Sequence, residues 1–322
     1  MTQIVFLDKA GLAPQISIPA IPLNNGQKVE WLEYETTTPE QVSQRLVNAT
    51  VAIVNKVVID AQVLSACPNL QHIAVSATGY NNVDLEACRK HNVSVSNIPA
   101  YATTSVPEHA LMLMLTLRRQ LLPYRKQVHA GEWATSNVFC LFGEPIKDLR
   151  DSTLGIIGYG DIGQATANLA RALGMRVVYS ARSKKVDSPD QMLPLNDVLK
   201  TSDIVSLHCS LNASTQDLIG AKQIELMQPN ALLINTARGG IVNEKALAQA
   251  IVENRIAGIG IDVLEQEPPR ASSPLLALSD RPNVIITPHI AWASDQAMQL
   301  LANTLANNVI AFLEGQPKNI VN

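Results

Sequence analysis

The chain has 322 residues, 47 % of them hydrophobic, which is material for two cores, so two domains are expected. A net charge of -3 without any Lys/Arg block argues against nucleic acid or an anionic membrane as the main partner. Cys67, Cys88, Cys140 and Cys209 form no CxxC pair and read as reduced thiols of a cytoplasmic protein, not as disulfides or metal ligands. Residues 1–7 are too short, and too soon broken by Asp8, for a signal peptide, and the most apolar run, 110–117, is far below a membrane span.

In chain order, short apolar stretches at 4–7, 29–32, 51–54, 72–76 and 93–95 read as strands. Between them 39–47, 60–66 and 83–91 read as helices, with Thr38 as N-cap before Pro39. This alternation predicts a small parallel sheet. Ser105-Val-Pro-Glu108 has capping-box spacing, so a helix is expected from there to about Gln127. Between 110 and 117 that helix is apolar nearly all round, which predicts cover on more than one side, by a neighbouring domain or a second subunit. Residues 131–151 carry Trp133, Phe139 and Phe142 without a clear period and read as a loop that packs or docks.

Leu154, Ile156 and Ile157 then form the apolar run of a parallel strand buried on both faces, and glycines begin where it stops. Gly158, Gly160 and Gly163 are followed by an Ala- and Leu-rich helix over 162–173, by Gly174, and by a second strand over 176–180. In that context they predict a dinucleotide site: Gly158 for the tight turn, Gly160 for close approach of a pyrophosphate, Gly163 for packing of helix on strand. The alternative is a glycine turn without a ligand. Strands at 203–209, 231–237, 258–263 and 284–288, with helices at 194–200, 222–227 and 244–254, complete six parallel strands in a doubly wound sheet. A last helix runs from Ser294 as N-cap to Glu314, sets Met298, Leu301, Leu305, Val309 and Phe312 on one face, and stops at Gly315 and Pro317. It is expected to return to the first domain, which is then built from both chain ends.

Ligands of open parallel sheets bind past the carboxyl ends of the strands. Three such ends carry groups able to act together: Arg238 in Ala237-Arg238-Gly239-Gly240, Glu267 before Pro268 and Pro269, and His289 in Pro288-His289-Ile290-Ala291-Trp292. Taken singly, each has a structural explanation: an ion pair for Arg238, a solvated turn carboxylate for Glu267, a satisfied buried histidine for His289.

At these residues the sequence resembles the D-isomer-specific 2-hydroxyacid dehydrogenase family over almost its full length. The marks are GYGDIG at 158–163, NTARGG at 235–240, DVLEQEPP at 262–269 and TPHIAWAS at 287–294. The stretch 77–84 and Trp292 look most like the hydroxypyruvate reductase and glycerate dehydrogenase branch. The resemblance implies an α/β protein of two doubly wound parallel-sheet domains, a Rossmann cofactor domain at 104–290 and a flavodoxin-like substrate domain at 1–103 and 291–322. Hinges are expected near 101–105 and Ala291, and a homodimer is implied. The implied reaction reduces a small 2-oxo acid, hydroxypyruvate or glyoxylate first, to the D-2-hydroxy acid. Alternatives are a D-lactate or phosphoglycerate dehydrogenase and, from another class, a nucleotide-sensing binding protein without catalysis.

The implied roles suit the residue types. Arg238 offers a planar fork for the substrate carboxylate and carbonyl, His289 gives and retakes the proton, and Glu267 holds the other imidazole nitrogen and favours the charged ring. Ala77, Thr78 and Gly79 resemble the family's backbone cradle for the carboxylate, Asn55 and Lys56 stand at another strand end of the same domain, and Trp292 reads as a pocket wall or as core. Cofactor contacts fall on Gly158, Tyr159, Gly160, Asp161, Ile162 and Gly163, on His208, Cys209, Ser210 and Thr215 towards the adenosine, and on Thr236, Ala237, Asp262 and Ala291. No metal is expected.

Two positions depart from the family pattern. The carboxylate that bonds the ribose hydroxyls of NAD belongs at the end of the second strand, yet Ala181 stands there, followed by Arg182, Ser183, Lys184 and Lys185. Arg182 and Ser183 suit a 2′-phosphate, so NADP(H) is the expected cofactor, with NAD(H) possible; the alternative is a solvated basic turn. Pro107, where alanine is usual, bears only on local helix geometry.

Overall fold

The computed structural model describes residues 2–21, 29–186 and 188–322. It divides into two compact units, one of Met1–Tyr101 with Ala293–Asn322, the other of Ala102–Trp292.

The first unit contains β1 (Thr2–Phe6), β2 (Val29–Glu33), α1 (Pro39–Leu46), β3 (Val51–Val54), α2 (Ala61–Ala66), β4 (His72–Val75), α3 (Leu85–Lys90) and β5 (Ser94–Ser96). The five strands pair with one another in parallel in the order β2-β1-β3-β4-β5, the flavodoxin arrangement. β3 and β4 are buried throughout, as strands covered on both faces must be. Short polar residues start the helices: Asp60 accepts from the N–H of Val63 and Asp84 from that of Ala87, both at 2.9 Å. Before Pro39, the Gln41 side chain accepts from the Thr38 N–H at 3.1 Å.

The chain returns to this unit as a helix over Asp295–Leu313, capped by Ser294, whose hydroxyl accepts from the Ala297 N–H at 3.1 Å. It ends at Gly315, with φ +74°, where the Gln316 N–H reaches back to the Ala311 carbonyl at 2.8 Å. Met298, Leu301, Leu305 and Val309 are buried as one face, and Phe312 stacks on the His72 ring at 4.4 Å. One polar residue joins that face unannounced. Buried Asn308 donates to the Asn97 carbonyl at 2.9 Å and accepts from Asn319 at 2.8 Å, tying the helix to the end of β5.

The second unit opens with α4 (Ser105–Arg118) and α5 (Leu121–His129), followed by β6 (Thr153–Ile157), α6 (Asp161–Ala172), β7 (Arg176–Ser180), β8 (Gln191–Met192) and α7 (Leu195–Thr201). Then come β9 (Ile204–Leu207), α8 (Ala221–Leu226), β10 (Leu232–Asn235), α9 (Glu244–Val252), β11 (Gly258–Ile261) and β12 (Val284–Ile286). The sheet is parallel in the order β12-β11-β10-β9-β6-β7-β8, a doubly wound sheet whose order reverses between β6 and β9.

Among the described residues the expected six strands are therefore seven. β8 pairs only Gln191 and Met192 with β7, too few residues to show a period. The expected single helix from Ser105 to Gln127 is two, parted at Gln120, which takes the left-handed conformation at φ +53°. Pro123 explains the break: in an unbroken helix its ring would strike the carbonyl one turn earlier, whereas the first turn of α5 accepts it. Ser105 is also not the cap. Thr104 precedes the helix, and the Ser105 hydroxyl donates to the Trp292 carbonyl at 3.3 Å. Four strands are shorter than expected at their carboxyl ends because His208, Thr236, Asp262 and Thr287 already belong to the loops that build the site.

Candidate active site

Arg238, Glu267 and His289 follow three neighbouring strands, β10, β11 and β12. The loops after the first two meet backbone to backbone: a Cβ on Gly239 would stand 1.9 Å from the Leu264 carbonyl oxygen, so only glycine fits between the arginine turn and the glutamate loop. Asn235 shapes that turn, donating to the Arg238 carbonyl at 3.0 Å and accepting from the Ala237 N–H at 3.0 Å. The Arg238 guanidinium curls over it, with Nη1 donating to the Ala237 carbonyl at 2.6 Å.

His289 Nδ1 lies 2.6 Å from Glu267 Oε2, and Oε1 of the same carboxylate accepts from the Leu264 N–H at 2.9 Å. One oxygen thus fixes the carboxylate and the other fixes the ring. His289 has φ +55°, a conformation a side chain bearing Cβ adopts only when its surroundings impose it. The surroundings are visible. The His289 N–H donates to the Asp262 carbonyl at 2.9 Å, and the Trp292 indole donates to the His289 carbonyl at 3.0 Å.

Asp262 is the anchor of this loop. Only 2 % exposed, its Oδ1 accepts from the Thr287 hydroxyl at 2.5 Å and from the Ile290 N–H at 2.9 Å, and its Oδ2 accepts from the Ala291 N–H at 2.9 Å. Behind it stands His109 of α4, whose Nε2 is 3.0 Å from Thr287 Oγ1. Since the threonine proton faces the aspartate, that Nε2 carries the proton of its own bond. Burial holds His109 below the ordinary histidine value against the opposing pull of Asp262. His109 and Thr287 carry no mark of this role in the sequence beyond a histidine just ahead of the apolar run of α4.

A dinucleotide fits the other side of the reversal point. Gly158, at φ +95°, rests on the end of β9, where a Cβ would stand 2.4 Å from the Cys209 nitrogen, and a Cβ on Gly163 would stand 2.3 Å from the Gly158 carbonyl. Above Gly160 nothing lies within 4 Å, leaving space a ligand can enter beside the first N–H groups of α6, those of Asp161, Ile162 and Gly163. Two buried polar atoms at these strand ends, Thr236 Oγ1 and His208 Nδ1, have no hydrogen-bond partner among the described residues, and burial lowers His208 to about 4, so its ring is neutral. Cys209 is half-buried, which raises its thiol, and Ser210 is exposed, its carbonyl taken by the Thr215 hydroxyl at 2.7 Å. After β7, Ala181 is half-buried and Arg182 and Ser183 are exposed. Tyr159 is placed otherwise: its ring turns away from the open face of the turn into the core.

The remaining expected residues lie in the first unit. Past β4, the Thr78 hydroxyl donates to the Ile98 carbonyl and its carbonyl accepts from Asn97, both at 2.7 Å, which holds Ala77, Thr78 and Gly79 in a defined loop. Past β3, the N–H groups of Asn55, Lys56 and Val57 donate to the Asp8 carboxylate at 2.8, 2.6 and 3.0 Å, an anchor that sequence reasoning did not identify.

The family model for the D-isomer-specific 2-hydroxyacid dehydrogenase, NAD binding domain, matches residues 111–291. The chain belongs to that family. It is an oxidoreductase that uses a nicotinamide cofactor on small 2-oxo or 2-hydroxy acids. The dehydrogenase is 44 % identical over 320 residues to a glycerate dehydrogenase of Methylorubrum extorquens, covering 99 % of this chain and 98 % of the relative. It is 34 % identical over 300 residues to a hydroxypyruvate reductase of Blautia hydrogenotrophica, covering 92 % of each. Among solved structures, the NADPH-dependent glyoxylate/hydroxypyruvate reductase of Sinorhizobium meliloti, in complex with NADP and malonate, superposes with TM-score 0.85 at 26 % identity, covering 99 % of this chain and 96 % of that one. Among the described residues no helix is long and apolar enough to cross a membrane.

Proposed function

We propose that this dehydrogenase reduces hydroxypyruvate or glyoxylate to the D-2-hydroxy acid with NADPH. The observation that carries the reading is the 2.6 Å bond between His289 and Glu267, on loops adjoining the Arg238 turn. With Nδ1 committed to the carboxylate, Nε2 is the nitrogen left to hand a proton to the substrate carbonyl oxygen. Glu267 keeps the ring in that orientation and pairs with it while it is charged. Arg238 takes the substrate carboxylate and polarises the carbonyl, which requires its guanidinium to exchange the Ala237 carbonyl for the substrate. A bound nicotinamide would supply the hydride. Thr236, Ala237, Asp262 and Ala291 would hold that end of the cofactor and Ala181 to Ser183 the other.

NADPH is favoured over NADH by the absence of a carboxylate at the end of β7 and by Arg182, which is exposed and makes no hydrogen bond or ion pair among the described residues. The substrate class rests on the glycerate dehydrogenase and reductases named above. Residues 104–290 act as the cofactor domain, and 1–103 with 291–322 as the substrate domain, with Asn55, Lys56, Ala77, Thr78 and Gly79 on the substrate side and Trp292 as a wall. A cytoplasmic homodimer completes the proposal: Phe139 and Phe142 are each 91 % exposed on the loop after α5, an apolar surface that a second copy would cover. Sedimentation at micromolar concentration should give a dimer, and Phe139→Ser with Phe142→Ser a monomer.

The decisive assay follows cofactor absorbance with a panel of 2-oxo acids and both reduced cofactors. Hydroxypyruvate or glyoxylate with NADPH should give the highest kcat/KM, and His289→Asn should abolish turnover while cofactor binding persists. Pyruvate as the best substrate, or NADH as the better cofactor, overturns the corresponding half.

A further inference from the structure

The second residue of the glycine motif does something the motif itself does not require. Tyr159 is 4 % exposed, and its ring stacks on that of Tyr179 in β7, with centroids 3.9 Å apart and planes 18° from parallel. Its hydroxyl donates to the Asp190 carboxylate and accepts from the Ser188 hydroxyl at 3.3 Å. Asp190, 8 % exposed, is paired as well with Arg171 of α6. Tyr179 answers from the strand, its hydroxyl accepting from the Lys185 N–H at 3.1 Å. Two stacked tyrosines, one from the glycine turn and one from β7, therefore tie down both ends of the segment that follows Arg182 and Ser183.

We propose that Tyr159 and Asp190 form a latch that holds the segment after β7 in register with the glycine turn, so that Arg182 and Ser183 are presented to the 2′-phosphate of NADPH. The proposal rests on the NADPH reading above for its ligand, but its geometry is independent of it. The latch has two consequences. It ties the glycine turn to the far end of the segment after β7, because the Tyr159 side chain reaches from beside Gly160 across Tyr179 to Ser188 and Asp190, and so limits the spacing between the turn and the segment on which Arg182 and Ser183 would meet a 2′-phosphate. It also disposes of a charge. Asp190 is a carboxylate close in sequence to the predicted phosphate contacts, and its pairing with Arg171 and Tyr159 inside the core keeps its charge from opposing a phosphate. Burial, and then the bond to Asp190, push the Tyr159 phenol up, so it stays a neutral donor across the working pH range. Tyr159 is thus a positioning residue for cofactor choice and touches no reacting atom.

Tyr159→Phe removes one hydroxyl and keeps the stack, so the fold is retained; Asp190→Asn is the second variant. Two readouts need no turnover. Amide hydrogen exchange of the ligand-free enzyme should quicken about tenfold at 183–186 and 188–190, Lys185, Ser188 and Asp190 among them, and stay unchanged in β6 and β9. By calorimetry the preference of the wild type for 2′,5′-ADP over AMP should fall by about tenfold in each variant, through weaker 2′,5′-ADP binding, with AMP affinity within about twofold. Unchanged exchange overturns the latch, whichever cofactor the enzyme prefers. Quicker exchange with an intact preference overturns its part in selectivity. A wild type that binds 2′,5′-ADP no better than AMP overturns the NADPH reading and the selectivity role together, and the exchange data then still decide whether the tie exists.

Discussion

Asp262→Asn tests how the proton-donating histidine is held. The carboxylate accepts three bonds, from the Thr287 hydroxyl and from the N–H groups of Ile290 and Ala291, and asparagine has one acceptor atom to offer. If that oxygen serves Thr287 and Ile290, the amide NH2 faces the Ala291 N–H, donor against donor, in a place where Ala291 is buried. A buried donor left unmet costs about 1–3 kcal/mol, and the two surviving bonds lose the reinforcement of a charged acceptor, so about 3 kcal/mol is expected in all. For a unit of this size that is a fall in Tm of about 6–12 °C. The loop that loses its anchor carries His289 at φ +55°, a conformation with a cost of its own, so the backbone should relax and the imidazole move. A displacement of about 1 Å is enough for a loss of about a hundredfold in kcat. Scanning calorimetry with steady-state kinetics under saturating cofactor measures both. A variant whose Tm stays within about 1 °C of the wild type would refute the anchor, because the three bonds would then have been worth nothing.

Glu267→Gln should retain the bond to the Leu264 N–H yet offer His289 Nδ1 a donor in place of an acceptor, which imposes the other tautomer; kcat should fall about a hundredfold with Tm little changed, measured by the same pair of assays. Gly239→Ala should drive a methyl into the Leu264 carbonyl and part the arginine turn from the glutamate loop, so a drop in Tm must accompany loss of turnover; a folded, active variant would contradict the close contact. Acid stability should depend on His72, which is buried between the Ser94 and Ser96 hydroxyls with a value near 4. Its folded value lies below the unfolded one, so its neutral form contributes nothing adverse above pH 6.5, and as pH falls from about 6.5 to about 4 the unfolded chain gains a proton that the folded one refuses. Up to about 3 kcal/mol is lost over that window, and urea midpoints at pH 7 and pH 4.5 should show a shallower decline in His72→Gln.

Much of the fold was legible because its signals are local and repeated. Apolar runs such as 51–54, set between Thr50 and Asn55, and 154–157, set between Thr153 and Gly158, identify buried parallel strands without any partner in view, and the Thr38-Pro39 and Ser294 caps mark helix starts. What escaped was set by neighbours. β8 exists only because β7 lies beside it, and the Ser105 hydroxyl, a plausible cap in isolation, is taken by a carbonyl 187 residues away. Pro123 was in plain sight, but its effect depends on whether the chain is already helical at Gln120, and the apolar run before it conceals the restart.

The site divides along the same line. Arg238, Glu267 and His289 could be found because each stands just past an apolar strand, and in a parallel sheet neighbouring strand ends are brought together by the topology itself. The residues that make those three precise are Asp262 and Thr287, which also stand just past strands, and His109, which does not; what the sequence leaves unread is the bonds that join them. His109 reaches Thr287 from the second turn of the unit's first helix, and Asp262 spends its charge on backbone N–H groups that no sequence pattern marks as needing it. The left-handed backbone of His289 makes the reason physical: such a conformation is not a preference of the residue but a cost, sustained only where several other groups are placed to hold it. Chemistry-bearing side chains are therefore readable one at a time, whereas their supports are readable only as a set, after the chain has closed around them.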